Sequence, residues 1–189
     1  MLDDTVSLRR LRGDFLATST ASMPLAGLIA WTALGVAALQ LPPRITGTLA
    51  LYIMAAILPL AFLLDRLRGR NLFSGGAPNP LLRLFLTSIA GIAVTVPVIV
   101  MGAQGAQNPV LLVLGMAILA GVIWIPYGWA ADDPVGLRHA VARALACYAA
   151  YALAPAPYRA TAICAAVVVA YVYSLAFMKR PGAAAAAAG

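Results

Sequence analysis

Glutamate is missing from this chain altogether, and lysine occurs once, as Lys179. Histidine also occurs once, as His139, and there are only two cysteines, Cys147 and Cys164. These shortages exclude whole classes of chemistry. Without glutamate, and with one histidine, no HExxH zinc helix exists. Without a CxxC pair, neither a zinc ribbon nor a thiol redox motif is supported, and two thiols inside apolar runs read as packed free cysteines. No GxSxG elbow is present, and no Ser/His pair is suggested by spacing. Charge as a whole is scarce, at 10% of 189 residues, against roughly a quarter in an ordinary soluble domain. Hydrophobic residues reach 63% and the mean hydropathy is +0.92. A soluble globule of this length has too little interior to hide that much apolar surface. Soluble enzymes, disordered chains and nucleic-acid-binding modules are therefore excluded, and the composition points to a polytopic membrane protein.

Six apolar runs lie at about 23–41, 46–64, 81–102, 109–129, 136–155 and 158–178. Each approaches the roughly 20 residues a helix needs to cross hydrocarbon. The runs are too long, and too apolar on every side, for the alternating strands of a membrane barrel. The expected fold is all-α, a bundle of six transmembrane helices over residues 23–178. A cytoplasmic amphipathic segment occupies 1–22, and a low-complexity cytoplasmic tail 179–189. The first run is long for a cleaved signal and is expected to stay as a span. The net charge of +7 sits between the runs rather than in them. One set of run ends carries Arg9, Arg10, Arg12, Arg66, Arg68, Arg70, Arg83, Arg138, Arg143, Lys179 and Arg180, and the other carries only Arg44 and Arg159. Such asymmetry puts both termini in the cytoplasm and requires an even number of spans. Richness in Ala, Arg, Gly and Pro suggests a GC-rich bacterial genome, hence a bacterial inner membrane.

Local signals add detail. Leu8, Leu11 and Phe15 recur at helical spacing with arginines around them, so residues 4–19 read as an amphipathic helix. Arg9, Arg10 and Arg12 would touch anionic inner-leaflet lipids. Asn79-Pro80, Asn108-Pro109 and Asp133-Pro134 each read as an N-cap followed by a proline preorganised for the first turn. Leu41-Pro42-Pro43 and Pro155-Ala156-Pro157 are short enough to force antiparallel hairpins. The basic, glycine-rich stretch 66–77 is the longest connection. Its Asn71-Leu72-Phe73 turn is either a docking loop or a plain connector. Pro59 precedes Asp65 by the same six residues as Pro126 precedes Asp132, which is too little to establish a repeat.

The fifth run is the odd one. His139, Arg143, Cys147 and Tyr151 recur every four residues and form one stripe. Beside them runs a ladder of Ala142, Ala146, Ala150 and Ala154, of the kind that lets helices approach closely. The stripe is therefore expected to face other helices, and intramembrane ionisable groups are functional candidates. The plainer reading keeps His139 and Arg143 at the interface, with Arg143 snorkelling or pairing with Asp132 or Asp133. The segment Trp124-Ile125-Pro126-Tyr127-Gly128-Trp129 ends the fourth run. It is either an aromatic belt with a proline kink, or a ligand site built on the carbonyl that Pro126 leaves free. Pro59 and Pro97 raise the same question. No Asp or Glu lies deep in any run, which argues against a carboxylate-driven carrier and leaves His139 as the one group suited to proton exchange near neutrality. The string 132–143 partly matches the Asp-rich motif of membrane CDP-alcohol phosphotransferases. That motif needs further aspartates, and none follow Asp133.

Several segments together resemble a family of small uncharacterised bacterial membrane proteins with about six helices. They are residues 9–15, Gly27-Leu28-Ile29-Ala30-Trp31, Pro59-Leu60 leading to Gly69-Arg70-Asn71-Leu72-Phe73, Asn79-Pro80-Leu81 and Pro126-Tyr127-Gly128-Trp129. The resemblance spans most of 9–150. It implies the topology, and no activity or ligand. The expectation is a small transporter or ligand-binding membrane protein, not an enzyme, with Pro126, Tyr127, Trp129, His139 and Arg143 at its site. No cofactor or metal is expected. The lipid bilayer is the expected partner, with a homo-oligomer or an unidentified protein partner open and nucleic acid excluded. The alternative is a structural or accessory subunit of a membrane complex.

Overall fold

In the computed structural model, residues 6–18, 21–69 and 79–179 are described. The Asn71-Leu72-Phe73 turn and the tail beyond Lys179 lie outside the described residues. The fold is all-α, with no strand among the described residues. Helix α1 spans Leu8–Thr18, α2 Ser22–Ala37, α3 Pro43–Leu67, α4 Pro80–Ala93, α5 Val96–Gly105, α6 Val110–Val122, α7 Trp124–Ala131 and α8 Val135–Leu153. A single 3-10 turn, Ala156–Tyr158, leads into α9, Arg159–Phe177.

All six apolar runs are helical, but they differ. Four stretches are long and apolar enough to cross a membrane: Pro43–Leu67, Pro80–Gly105, Val110–Ala131 and Ala156–Phe177. Helix α2, at 16 residues, is too short alone and passes only when paired with α1 across a 52° bend. Helix α8 is long enough, but Arg138, His139 and Arg143 keep it out of that set. By length and composition, four of the six expected spans, or five with the bent pair, are apolar enough to cross a membrane.

Two of the three internal prolines mark interruptions. A proline removes one amide donor and crowds the carbonyl four residues back. Pro97 follows the break at Val94-Thr95, where the Thr95 hydroxyl donates to the Ile92 carbonyl at 2.7 Å. Pro126 lies in the first turn of α7, just after the break at Ile123. Pro59 leaves α3 uninterrupted. All three Asx-Pro starts form: the side-chain oxygens of Asn79, Asn108 and Asp133 accept the amides of Leu81, Val110 and Val135 at 2.9, 3.2 and 3.0 Å.

Helix α9 packs against α2, α6 and α8, and α6 also meets α3 and α5. Trp31, Leu34, Met116, Ile163 and Val167 form the centre of this core. Both short-loop hairpins are present as packed pairs, α2 with α3 and α8 with α9. Helix α1 does not stand apart from the bundle. Its Phe15 and Leu16 bury against Leu81, Ala130 and Ala131. Arg12 donates to Asp132 at 2.8 Å, so it is engaged within the chain, whereas Arg9 and Arg10 are exposed.

Interhelical bonds define two ends. At one, Asn79 donates to the Leu11 carbonyl, Ser22 donates to Asp65, and Arg12 and Lys179 both reach Asp132. At the other, Asn108 donates to the Tyr151 hydroxyl, and Pro42, Arg44, Asn108 and Arg159 surround one cleft.

Candidate functional site

The site is built on the turn between α7 and α8. Asp132 takes the left-handed conformation there (φ 53°, ψ 45°), which aspartate tolerates better than most residues. The Asp133 carboxylate accepts the amide of Val135 with one oxygen and the amide of Lys179 with the other, at 3.0 and 2.7 Å. One side chain thereby ties the start of α8 to the end of α9. Two glycines let α7 and α8 cross backbone to backbone. A Cβ on Gly136 would lie 2.3 Å from the Trp124 carbonyl oxygen, and one on Gly128 would lie 2.8 Å from the Gly136 Cα. This crossing brings the Trp124 indole flat onto His139, with ring centres 4.1 Å apart and planes at 19°.

His139, Arg143 and Ser174 are fully buried together. Arg143 sits eight residues into α8, about 12 Å along the axis from its start. Gly121 on α6 makes room for it, since a Cβ there would meet the Arg143 Cδ at 3.1 Å. The guanidinium lies over two rings, 5.4 Å from Trp31 and 5.1 Å from Tyr171. Its Nη1 is 3.4 Å from His139 Nε2, and His139 Nδ1 is 2.6 Å from the Ser174 hydroxyl. A guanidinium only donates, so Nε2 accepts. The imidazole is then neutral with its proton on Nδ1, donating to Ser174.

The rest of the guanidinium is unsatisfied. Arg143 Nε and Nη2 are buried without a hydrogen-bond partner, as is Trp31 Nε1. Among the described residues no carboxylate pairs with the group: Asp132 is engaged by Arg12 and Lys179, and Asp133 by two backbone amides. A buried cation without a counter-ion costs several kcal/mol unless something compensates it. Two cation–π contacts offset part of this, at up to about 2 kcal/mol each when desolvated.

A cavity of about 130 Å³ adjoins the cluster. Phe15, Met54, Ile57, Phe85 and Ile89 give it apolar walls, and Trp124 and Tyr171 close it on the side of the cluster. Tyr127 also lines it, packed edge-on to Phe85 and Trp124, with its hydroxyl buried and unpartnered.

The structure divides the five expected site residues. His139 and Arg143 share the buried cluster, and Tyr127 faces the cavity. Pro126 contributes the helix break. Trp129 points away, half exposed under the Arg12 guanidinium at 5.2 Å. The interfacial reading of Arg143 is overturned, because the side chain has no exposed surface and touches neither Asp132 nor Asp133. The alanine ladder is also reassigned. Ala142 and Ala146 are exposed, so glycines on α6 and α7, and not these alanines, allow the close approach. Sequence reasoning missed Trp31, Tyr171 and Ser174, which come from α2 and α9. Trp124 was in view only as part of the aromatic belt. Among the described residues no group of His, Cys, Asp and Glu is placed to hold a metal.

These features define an all-α protein with several apolar helices and a buried cationic cluster beside an apolar cavity. The chain belongs to the family of unknown function DUF7010, which it matches over residues 9–180. That range includes α8 and α9, beyond the segments that carried the resemblance in the sequence. No curated protein and no solved structure matches the chain.

Proposed function

We propose that this chain is an integral membrane protein that binds a small ligand inside its helix bundle, at Arg143, His139 and the adjoining cavity, and that it acts as a small transporter or ligand-binding protein rather than an enzyme. The observation that carries the reading is the Arg143 guanidinium, buried without a counter-ion and with two nitrogens unpartnered. In a membrane-embedded bundle such a group is costly, and its retention favours a binding role.

The membrane setting rests on the four long apolar helices and on the outward faces of the bundle. Val94, Val98, Met101, Leu145, Leu153 and Phe177 are all largely exposed. A soluble monomer rarely carries so much contiguous apolar surface. In this reading α2 and α8 complete six spans, α8 turning His139 and Arg143 inward and apolar side chains outward. The basic end faces the cytoplasm, as expected of a bacterial inner membrane, and Arg9 and Arg10 remain available to anionic lipid.

The test is a thermal-shift screen of the detergent-purified chain against ions, amines, organic acids and lipids, at mildly acidic and neutral pH. A ligand present at roughly 100 times its dissociation constant adds about 2.7 kcal/mol to the folded state. A saturable shift that disappears in Arg143→Ala supports the reading, and silence across the library ends it. A second reading, an accessory subunit of a membrane complex, draws on the outward-facing Ala142 and Ala146, which suit close docking of another helix. It predicts a stoichiometric partner after extraction in mild detergent, and no ligand.

A further inference from the structure

We infer that the Arg143 cluster and the adjoining cavity form one site for a small apolar monocarboxylate, an aryl or short alkyl acid. Its carboxylate would pair with Arg143 while its body fills the cavity. This inference rests on the ligand-binding reading above and names the ligand class for it.

The first argument is geometric. The two unpartnered guanidinium nitrogens, Nε and Nη2, lie on one edge of the group. Together they present two parallel N–H bonds, the fork that receives a carboxylate with both oxygens. Nη1, on the remaining side, is already directed at His139. Trp31 Nε1, on the ring beneath the guanidinium, is a further buried donor without an acceptor. What the cluster lacks is acceptors.

The second argument is charge. Arg143 contributes one positive charge, and His139 is neutral because its Nε2 accepts from Arg143. Among the described residues no aspartate pairs with the group. One negative charge balances the site, whereas a phosphate dianion would leave an excess charge buried.

The third argument is shape. A cavity of about 130 Å³ is close to the roughly 150 Å³ engineered cavity that takes up benzene, so it suits one ring or a short chain. Trp124 and Tyr171 are walls of this cavity and also touch the cluster. Tyr171 is common to both, lining the cavity and lying 5.1 Å from the guanidinium carbon. It rests on Gly27, where a Cβ would lie 2.3 Å from the ring. The site thus reads as an apolar chamber, a shared aromatic wall and a cationic fork.

The experiment measures thermal shifts of the full detergent-purified chain with benzoate, hexanoate, benzyl alcohol, chloride and inorganic phosphate at neutral pH. Benzoate and hexanoate should give saturable shifts, and benzyl alcohol should bind at least roughly tenfold more weakly, since it fills the cavity but has no charge for the fork. Arg143→Lys keeps the charge without the fork and should weaken benzoate by roughly tenfold or more. Ile57→Phe, which shrinks the cavity, should weaken both acids. If benzyl alcohol matches benzoate, the fork is not used and the inference falls. This comparison needs only the unaltered protein, so it decides the matter even if Arg143→Lys does not fold. If chloride or phosphate gives an Arg143-dependent shift while the acids are silent, the ligand class is wrong but the ligand-binding reading stands. If these probes and the broad library are all silent, both fall.

Discussion

Two arginines in this protein each lie over a tryptophan, and their surroundings could hardly differ more. Arg12 sits at the edge, 5.2 Å above Trp129, with Asp132 at 2.8 Å and a quarter of its side chain exposed. Arg143 sits in the interior, 5.4 Å from Trp31, with a second ring on it, a histidine beside it and no carboxylate. Arg12 is a surface clasp. Its charge is answered by another side chain and by solvent, so its loss costs little. Arg143 has neither answer, and its burial is tolerable only because aromatic faces and one imidazole share the guanidinium. An ion-paired arginine at the edge of the bundle explains itself through stability. An unpaired one in the interior does not, and the proposed binding site rests on this contrast.

The largest effect expected is from removing the support that both arginines share. Gly136→Val drives side-chain atoms into the Trp124 carbonyl and the Gly128 backbone. Backbone cannot yield as a flexible side chain does, so a loss of about 3 kcal/mol or more is expected, with Trp124 displaced from His139. Denaturant titration in detergent would read this, and a wild-type midpoint would show that the α7–α8 crossing is looser than described.

Arg143→Met sharpens the comparison itself. Replacing a buried charge with an apolar chain of similar length is often neutral or stabilising, by up to about 4 kcal/mol. Without ligand, the variant should melt no lower than the parent, while losing all ligand-induced shift. A large fall in the midpoint would mean that the rings alone satisfy the guanidinium and that Arg143 is a structural pillar.

Tyr127→Phe is smaller. It deletes a buried hydroxyl that has no partner and keeps the ring packing against Phe15, Phe85 and Trp124. A gain of about 1 kcal/mol is expected, because an unsatisfied buried polar group is removed. A loss would reveal a hydrogen bond made to water or ligand in the cavity.

Asp132→Asn should matter least. Asparagine keeps the left-handed turn available while the charge facing Arg12 and Lys179 is lost. The expected cost is about 0–1 kcal/mol, shrinking as salt is added. A cost that persists in high salt would mean that Asp132 anchors α1 through more than its charge.

Much of the frame was legible along the chain, for local reasons. Asn79-Pro80, Asn108-Pro109 and Asp133-Pro134 announce helix starts because a cap and a fixed φ act within two residues. The breaks near Pro97 and Pro126 follow from a missing amide. The stripe of His139, Arg143, Cys147 and Tyr151 shares one face because of helical periodicity; the first three are buried and Tyr151 is partly so. The errors were about which way that face turned and what met it. Arg143 looked close enough to the helix start to snorkel, and the alanines looked like the contact face. Trp129 seemed part of the site because it shares a hexapeptide with Trp124 and Tyr127, yet five residues of helix carry it to the opposite side from Trp124.

By itself the sequence determined an all-α chain with long apolar helices, their starts and breaks, and the gathering of basic residues toward one end. Hydrophobic periodicity, capping and charge are properties of short stretches, so they can be read in order. Only the tertiary structure decided that α8 presents Arg143 inward and Ala142 outward. It alone brought Trp31 from α2 and Tyr171 from α9 over the Arg143 guanidinium, and Trp124 from α7 onto His139. Periodicity fixes angles within one helix, but the rotation of that helix in the bundle is set by packing between residues far apart in the chain. Here it follows from the room left by Gly121 and the contact of Gly128 with Gly136.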